Sequence, residues 1–126
     1  MKSSWVVVVL ATLIGCSSNS IPDNIVIEQV KSCLEAKRLG DTKFPERFTI
    51  QDVTVKNRLV KDGEAKIVVA VSILLNEVYN ADSNQDHAWS VWVGSEPGKK
   101  GEIVTNDNLE VQFKEVDSGW QIQCDR

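Results

Sequence analysis

The stretch Ala65-Lys66-Ile67-Val68-Val69-Ala70-Val71-Ser72-Ile73-Leu74-Leu75-Asn76 decides the fold. Ile67, Val69, Val71, Ile73 and Leu75 fall on every second position, which is the period of a β-strand, where successive side chains leave opposite faces. The alternate positions are Lys66, Val68, Ala70, Ser72, Leu74 and Asn76. Both faces are therefore apolar for much of the length, as in a strand with packing on either side. The stretch reads as one long, central strand.

The flanks extend that reading. Lys61-Asp62-Gly63-Glu64 forms a turn, and before it Phe48, Ile50, Val53 and Val55 alternate with polar residues. Their phase changes at Gln51-Asp52, the mark of a bulge. Further upstream Val26, Ile27, Val30, Cys33, Leu34 and Lys37 recur at spacings of three and four, with Glu28, Gln29, Lys31, Glu35 and Arg38 opposite. That spacing predicts an amphipathic helix over about residues 23–39. Asp23 would be its N-cap, Lys37 and Arg38 would sit at the negative end of its dipole, and Gly40 would end it in the left-handed conformation.

Downstream of the central strand, Asn80 to Asp86 is a polar loop. His87 to Val93 then reads as a third strand, with Trp89, Val91 and Val93 on one face and Ala88, Ser90 and Trp92 on the other. Gly94 to Gly101 is a flexible connection. Leu109, Val111 and Phe113 mark a fourth strand, and Asp117-Ser118-Gly119 turns into Trp120, Ile122 and Cys124. The predicted plan is α+β, with one N-terminal amphipathic helix packed on a curved antiparallel sheet of four to five strands.

Composition bounds the function. The chain has 126 residues, 42% of them hydrophobic, with 14 Lys plus Arg, 18 Asp plus Glu and a net charge of -4. One cored domain fits this length, and the apolar fraction excludes a disordered or fibrous chain. An acidic balance disfavours phosphate backbones and anionic lipid headgroups, and Lys99-Lys100 is too small a basic patch for a nucleic-acid footprint, so neither a nucleic-acid partner nor polybasic membrane docking is expected.

The amino terminus addresses location. After Lys2, the uncharged run from Trp5 to Ile14 is shorter than the roughly 20 apolar residues of a spanning helix and has the form of a secretory signal. Leu13-Ile14-Gly15-Cys16 resembles the lipobox of bacterial lipoproteins. The resemblance implies removal of residues 1–15, diacylglycerol on the Cys16 thiol and acylation of the new amino group, with the membrane as a partner through that anchor. Ser17, where Asp would retain the protein at the inner membrane, implies the outer membrane. The organisation expected is a signal peptide over 1–15, a lipidated Cys and short tether over 16–22, and a single α+β domain over 23–126.

With Cys16 lipidated, Cys33 and Cys124 remain, and in an oxidising compartment they form either a structural disulfide or two buried thiols. The phases favour the bridge, because Cys33 lies on the apolar helix stripe and Cys124 shares a strand face with Trp120 and Ile122. Asp82-Ser83-Asn84-Gln85-Asp86 matches the opening of a calcium loop, but His87 stands where its Gly belongs and Val93 where its bidentate Glu belongs. No metal site or cofactor is expected. His87, the sole His, has no recognisable Ser or Cys nucleophile to serve, so no catalytic residue is assigned and the chain reads as non-enzymatic.

One helix covers one face of a sheet. The other face would carry Val68, Ala70, Leu74 and Trp92, an apolar set rimmed by polar residues and so a candidate protein interface unless curling or a loop buries it. The order of elements, closing in an Asp-Ser-Gly turn and Trp120-Gln121-Ile122, resembles small periplasmic lipoproteins of the cystatin-like or NTF2-like type, in which a helix lies on a curved sheet. The resemblance implies binding, assembly or occasional catalytic roles and does not choose among them; the anchor, the short tether and the second apolar face point to a binding or accessory module for another envelope protein, with a carrier or sensor of a small apolar ligand held between helix and sheet as the alternative.

Overall fold

The structure is a computed structural model that describes residues 20–124. The expected signal peptide over 1–15 and the expected lipidation site Cys16 lie outside the described residues. Helix α1 (Asp23–Glu35) is followed by β1 (Arg38–Leu39), β2 (Thr42–Lys43) and the single turn α2 (Phe44–Arg47). The sheet strands are β3 (Phe48–Lys61), β4 (Glu64–Leu75), β5 (Ile103–Val116) and β6 (Gly119–Ile122); a short 3₁₀ turn (His87–Trp89) and α3 (Ser90–Val93) separate β4 from β5. The protein is α+β, a curved antiparallel half-barrel of four strands with helices on its concave side.

The stretch that decided the reading is β4, and it is central, paired with β3 on one side and β5 on the other. Its inward residues Ile67, Val69, Val71 and Ile73 are fully buried. The phase change at Gln51-Asp52 is a bulge between Ile50 and Asp52, and further register shifts fall between Val55 and Asn57 and between Val69 and Val71. Each extra residue bends its strand and raises the local twist, so three of them curl long strands into a half-barrel. Val26, Val30 and Leu34 of α1 are buried in the trough so formed.

Three expectations need correction. The helix ends at Glu35 with Ala36 as its cap, because the chain reverses and Arg38-Leu39 pairs with Thr42-Lys43 in a small hairpin. Gly40, at φ 60°, serves that hairpin turn instead of stopping the helix, and Asp23 is the first helical residue, with Pro22 at the capping position. Part of the expected tether belongs to the domain, since Ile21 is completely buried.

The largest correction concerns residues 87–93, which are helical turns and not a strand. Trp89 and Val93 are both buried, and a separation of four fits one helical turn as well as it fits an even strand period. Val91 separates the two readings: a strand would bury it beside them, whereas it is 59% exposed. Both neighbours of β4 are already supplied by β3 and β5, and the loop instead turns over the open end of the trough.

That loop is held by named contacts. Tyr79 bridges to Gly98, each backbone N–H donating to the other's carbonyl, at 2.9 and 3.0 Å. A Cβ at Gly98 would stand 2.7 Å from Leu75 Cδ1, so any other residue would force the buried Leu75 side chain to shift. The Tyr79 hydroxyl donates to the Gly94 carbonyl at 2.6 Å. Phe44, Phe48, Tyr79, Trp89 and Trp92 form a chain of tilted and edge-on ring contacts with centroids 5.1 to 6.0 Å apart.

Candidate functional site

Two surfaces have the character of binding sites. The first is the convex face of the sheet. Strand register places Leu74 between Thr49 and Ile103, Ser72 between Asp52 and Thr105, and Val68 between Asn57 and Glu110. Val68, Ala70 and Leu74 are therefore brought together on one face, as the alternation requires, and each is half-buried. Ile103 adds an aliphatic side chain that is 55% exposed. The face is apolar in its middle and at the end where β4 stops and β5 starts, with Asp52, Asn57 and Glu110 as polar flanks.

Trp92 does not join this set. It sits on α3, on the concave side, in an edge-on contact with the buried Trp89 ring at 5.9 Å. The helical course of residues 87–93 carries it to the opposite side from Val68, Ala70 and Leu74.

Trp92 instead borders the second surface, an open cleft of about 330 Å³. Val30 and Leu34 of α1, Leu109 and Val111 of β5, and Trp92 and Val91 of α3 supply its apolar lining. Lys37, Glu110, Gln112 and Gln123 supply a polar lining of similar extent. The Lys37 side chain is almost wholly buried, with the ammonium 5.1 Å from the centroid of the Trp92 ring, an attraction between cation and ring face that strengthens as water is excluded. Cys33 lines the same cleft. It is bonded to Cys124, with Cα atoms 5.7 Å apart, so the bridge fastens the segment after β6 to α1 and fixes one wall of the cleft.

Two sets of polar contacts outside this cleft were missed by sequence reading. Gln29 reaches the free edge of β6, where its amide N–H donates to the Trp120 carbonyl and its amide oxygen accepts from the Ile122 N–H, both at 2.7 Å. One side chain thus reproduces the pair of bonds a neighbouring strand would make and closes that edge.

At the other end Arg47 is buried. Its Nη1 donates to Asp86 Oδ1 at 2.5 Å, its Nη2 donates to the Val78 carbonyl at 2.7 Å, and Glu77 lies 3.6 Å from its Nε. Asp86 Oδ2 accepts from the Asn80 N–H at 2.9 Å. Burial alone would push the Asp86 carboxyl up. The Arg47 hydrogen bond, the Asn80 N–H, the guanidinium charge and Ser83 together outweigh burial and hold it below the usual carboxylate range. Burial, reinforced by the Asp86 charge, pushes the Tyr79 hydroxyl up to about 12. Asp86, which opened as part of the incomplete calcium pattern, is thus a structural ion-pair partner in this fold.

His87 is exposed on the 3₁₀ turn, with Nδ1 3.3 Å from the Ala81 carbonyl. Among the described residues no group of three or more His, Cys, Asp and Glu side chains is placed to hold a metal ion, and no helix is long and apolar enough to cross a membrane.

Of the missed features, only Lys37 had a signal in the sequence, because it falls on the apolar stripe of the helix. Gln29 and Arg47 carried none, since each acts on a partner more than 30 positions away. Comparison with protein-family models, curated proteins and solved structures gives no significant match to this chain.

Proposed function

We propose that this chain is a bacterial outer-membrane lipoprotein, anchored through Cys16, whose α+β domain binds another envelope protein as a non-enzymatic accessory or assembly module. The observation that carries the reading is the convex sheet face: Val68, Ala70 and Leu74 lie half-buried in a row that ends at the exposed Ile103. Ser72, paired with Asp52 and Thr105, divides this set into Val68-Ala70 and Leu74-Ile103, two apolar groups with polar surroundings of the kind found in an interface core and rim. The lipobox resemblance at Leu13-Ile14-Gly15-Cys16 and the apolar run before it support the anchor. His87, exposed beside a carbonyl, offers no nucleophile–base pair, which supports a binding role over a catalytic one.

The test is crosslinking in intact cells, comparing wild type with Ile103→Asp after circular dichroism has established that both fold. Loss of one specific crosslinked envelope protein in the variant supports the reading. An unchanged set of partners, or none in either, refutes it.

A second reading rests on the cleft. Its volume of about 330 Å³ is at the small end of the range for ligand sites, and the lining by Leu34, Trp92 and Leu109 suits a small apolar ligand. Native mass spectrometry of protein released gently from membranes tests it. A retained small molecule, lost in Leu109→Trp, supports a carrier, and a ligand-free mass refutes it.

A further inference from the structure

We infer that the hairpin end of the sheet, carrying Leu59, Lys61, Lys66 and Lys114, is the surface that rests on the bilayer holding the anchor, so that the opposite end faces the partner. The inference rests on the anchored reading above and deepens it by fixing the orientation of the domain.

The Ser20 carbonyl accepts a hydrogen bond from Trp120 Nε1 at 3.1 Å, Ile21 is completely buried, and Arg58 binds both the Ile21 carbonyl and the Asp23 carboxylate. The chain is therefore clamped from Ser20 onward, between β3 and β6. Only four residue steps separate Ser20 from Cys16, at most about 14 Å of extended chain. A domain of this size is about 30 Å across. A leash of less than half the diameter does not let the far end turn to the membrane, so the end that holds Ser20 is the near one.

The strand register identifies what that end presents. Arg58 pairs with Ile67, and one step beyond it Leu59 pairs with Lys66, which pairs in turn with Gln112. The last row is Lys61, Glu64 and Lys114. These are convex-face positions beside the turns at Asp62-Gly63 and Asp117-Ser118. Leu59 is 65% exposed, an aliphatic side chain with no structural task within the domain. Around it three lysines can lay their methylene stems along the lipid interface and keep their ammonium groups at headgroup phosphates. Asp62, Glu64, Glu115 and Asp117 outnumber the three lysines at this end, so net charge does not draw it to the bilayer; Leu59 seats the contact, the leash positions the domain, and the anchor supplies the strength.

The consequence is polarity of use. Leu74 and Ile103 lie at the other end of the same convex face, alongside the loop from Asn76 to Glu102, and are held away from lipid.

The experiment uses lipidated protein in vesicles of phosphatidylethanolamine and phosphatidylglycerol, with an environment-sensitive fluorophore on Leu59→Cys or, separately, on Ile103→Cys. The native cysteines are bridged or lipidated and do not react. Iodide should quench the Leu59 label at least about threefold less than the Ile103 label, and brominated lipid should quench the Leu59 label alone, as expected for a group seated at the headgroup boundary. Equal iodide access at both positions in vesicle-bound protein would overturn the inference and leave the anchor standing. Failure to float with vesicles, with no diacylglycerol mass on Cys16, would overturn the anchor and the inference together.

Discussion

Replacing Asp86 with Ala should unfold this domain many degrees earlier, for reasons that follow from the burial of Arg47. Both side chains of the pair are 8% exposed, and the Nη1–Oδ1 distance is 2.5 Å. Removing Asp86 leaves the guanidinium buried with the Val78 carbonyl as its remaining hydrogen-bond acceptor and the exposed Glu77, 3.6 Å from Nε, as its remaining counter-charge, and takes the acceptor from the Asn80 N–H. Breaking a buried pair from one side is destabilising by about 3–5 kcal/mol. For a domain near 100 residues each kcal/mol moves the melting temperature by about 4–8 °C, so a fall of at least about 12 °C is expected. The assay is thermal unfolding of the oxidised protein at pH 7, followed by circular dichroism. The double variant Arg47→Met/Asp86→Leu should recover most of the loss, because it removes both charges from the interior.

The pH dependence has a fixed sign. Asp86 is depressed in the folded state, so its contribution is full above the unfolded value of about 3.9 and is lost as pH falls through the lower folded value. The gap between wild type and Asp86→Asn should therefore be full at neutral pH and narrow only in strong acid. A deficit for Asp86→Ala of under about 1 kcal/mol, the range of an exposed pair, would refute the reasoning.

Further outcomes follow from other contacts. Cys33→Ser/Cys124→Ser should lower the unfolding free energy by about 4–5 kcal/mol in the loop-entropy description of a bridge spanning 91 positions; denaturant titration checks the loss, and free thiols in the exported wild type would contradict the bridge. Gln29→Leu should destabilise by about 1–3 kcal/mol and speed hydrogen exchange at the Ile122 amide, since two strand-edge groups lose their partners. The chain has a single tyrosine, so an absorbance titration should show tyrosinate forming near pH 12 in the folded protein and near 10 in denaturant. Because that value is raised on folding, the associated stability is present below pH 10 and lost as pH rises towards 12.

How much was legible in the sequence depended on whether a residue's role was local. The alternation in residues 67–75 reported the buried inner face of β4 and the position of that strand at the centre of the sheet, whereas packing on its other side did not follow, since Val68, Ala70 and Leu74 are only half-buried. The slip at Gln51-Asp52 reported a bulge, because a bulge is itself a change of phase. The disulfide was legible because Cys33 and Cys124 each carried a phase, and the two phases met. Residues 87–93 misled because Trp89 and Val93 satisfy two periods at once, and only the exposure of Val91 separates them. With that segment turned into a helix, Trp92 moved from the convex face to the cleft, while Val68, Ala70 and Leu74 stayed where alternation put them. Arg47, Asp86 and Gln29 were invisible for another reason. Their partners are fixed by how the sheet curls, and no local pattern encodes that curvature.

The central claim is that the Leu74-Ile103 end of the convex face, held away from the membrane by the short leash, meets an envelope protein. The direct measurement places a photo-crosslinking residue at Ile103, at Leu59 or at Val91 of the lipidated protein in living cells and identifies the adducts by mass spectrometry. The account predicts one protein adduct from Ile103, lipid adducts from Leu59 and no shared protein adduct from Val91 at the cleft rim. Protein adducts of equal yield from all three positions, or none from Ile103 in folded and anchored protein, would contradict it.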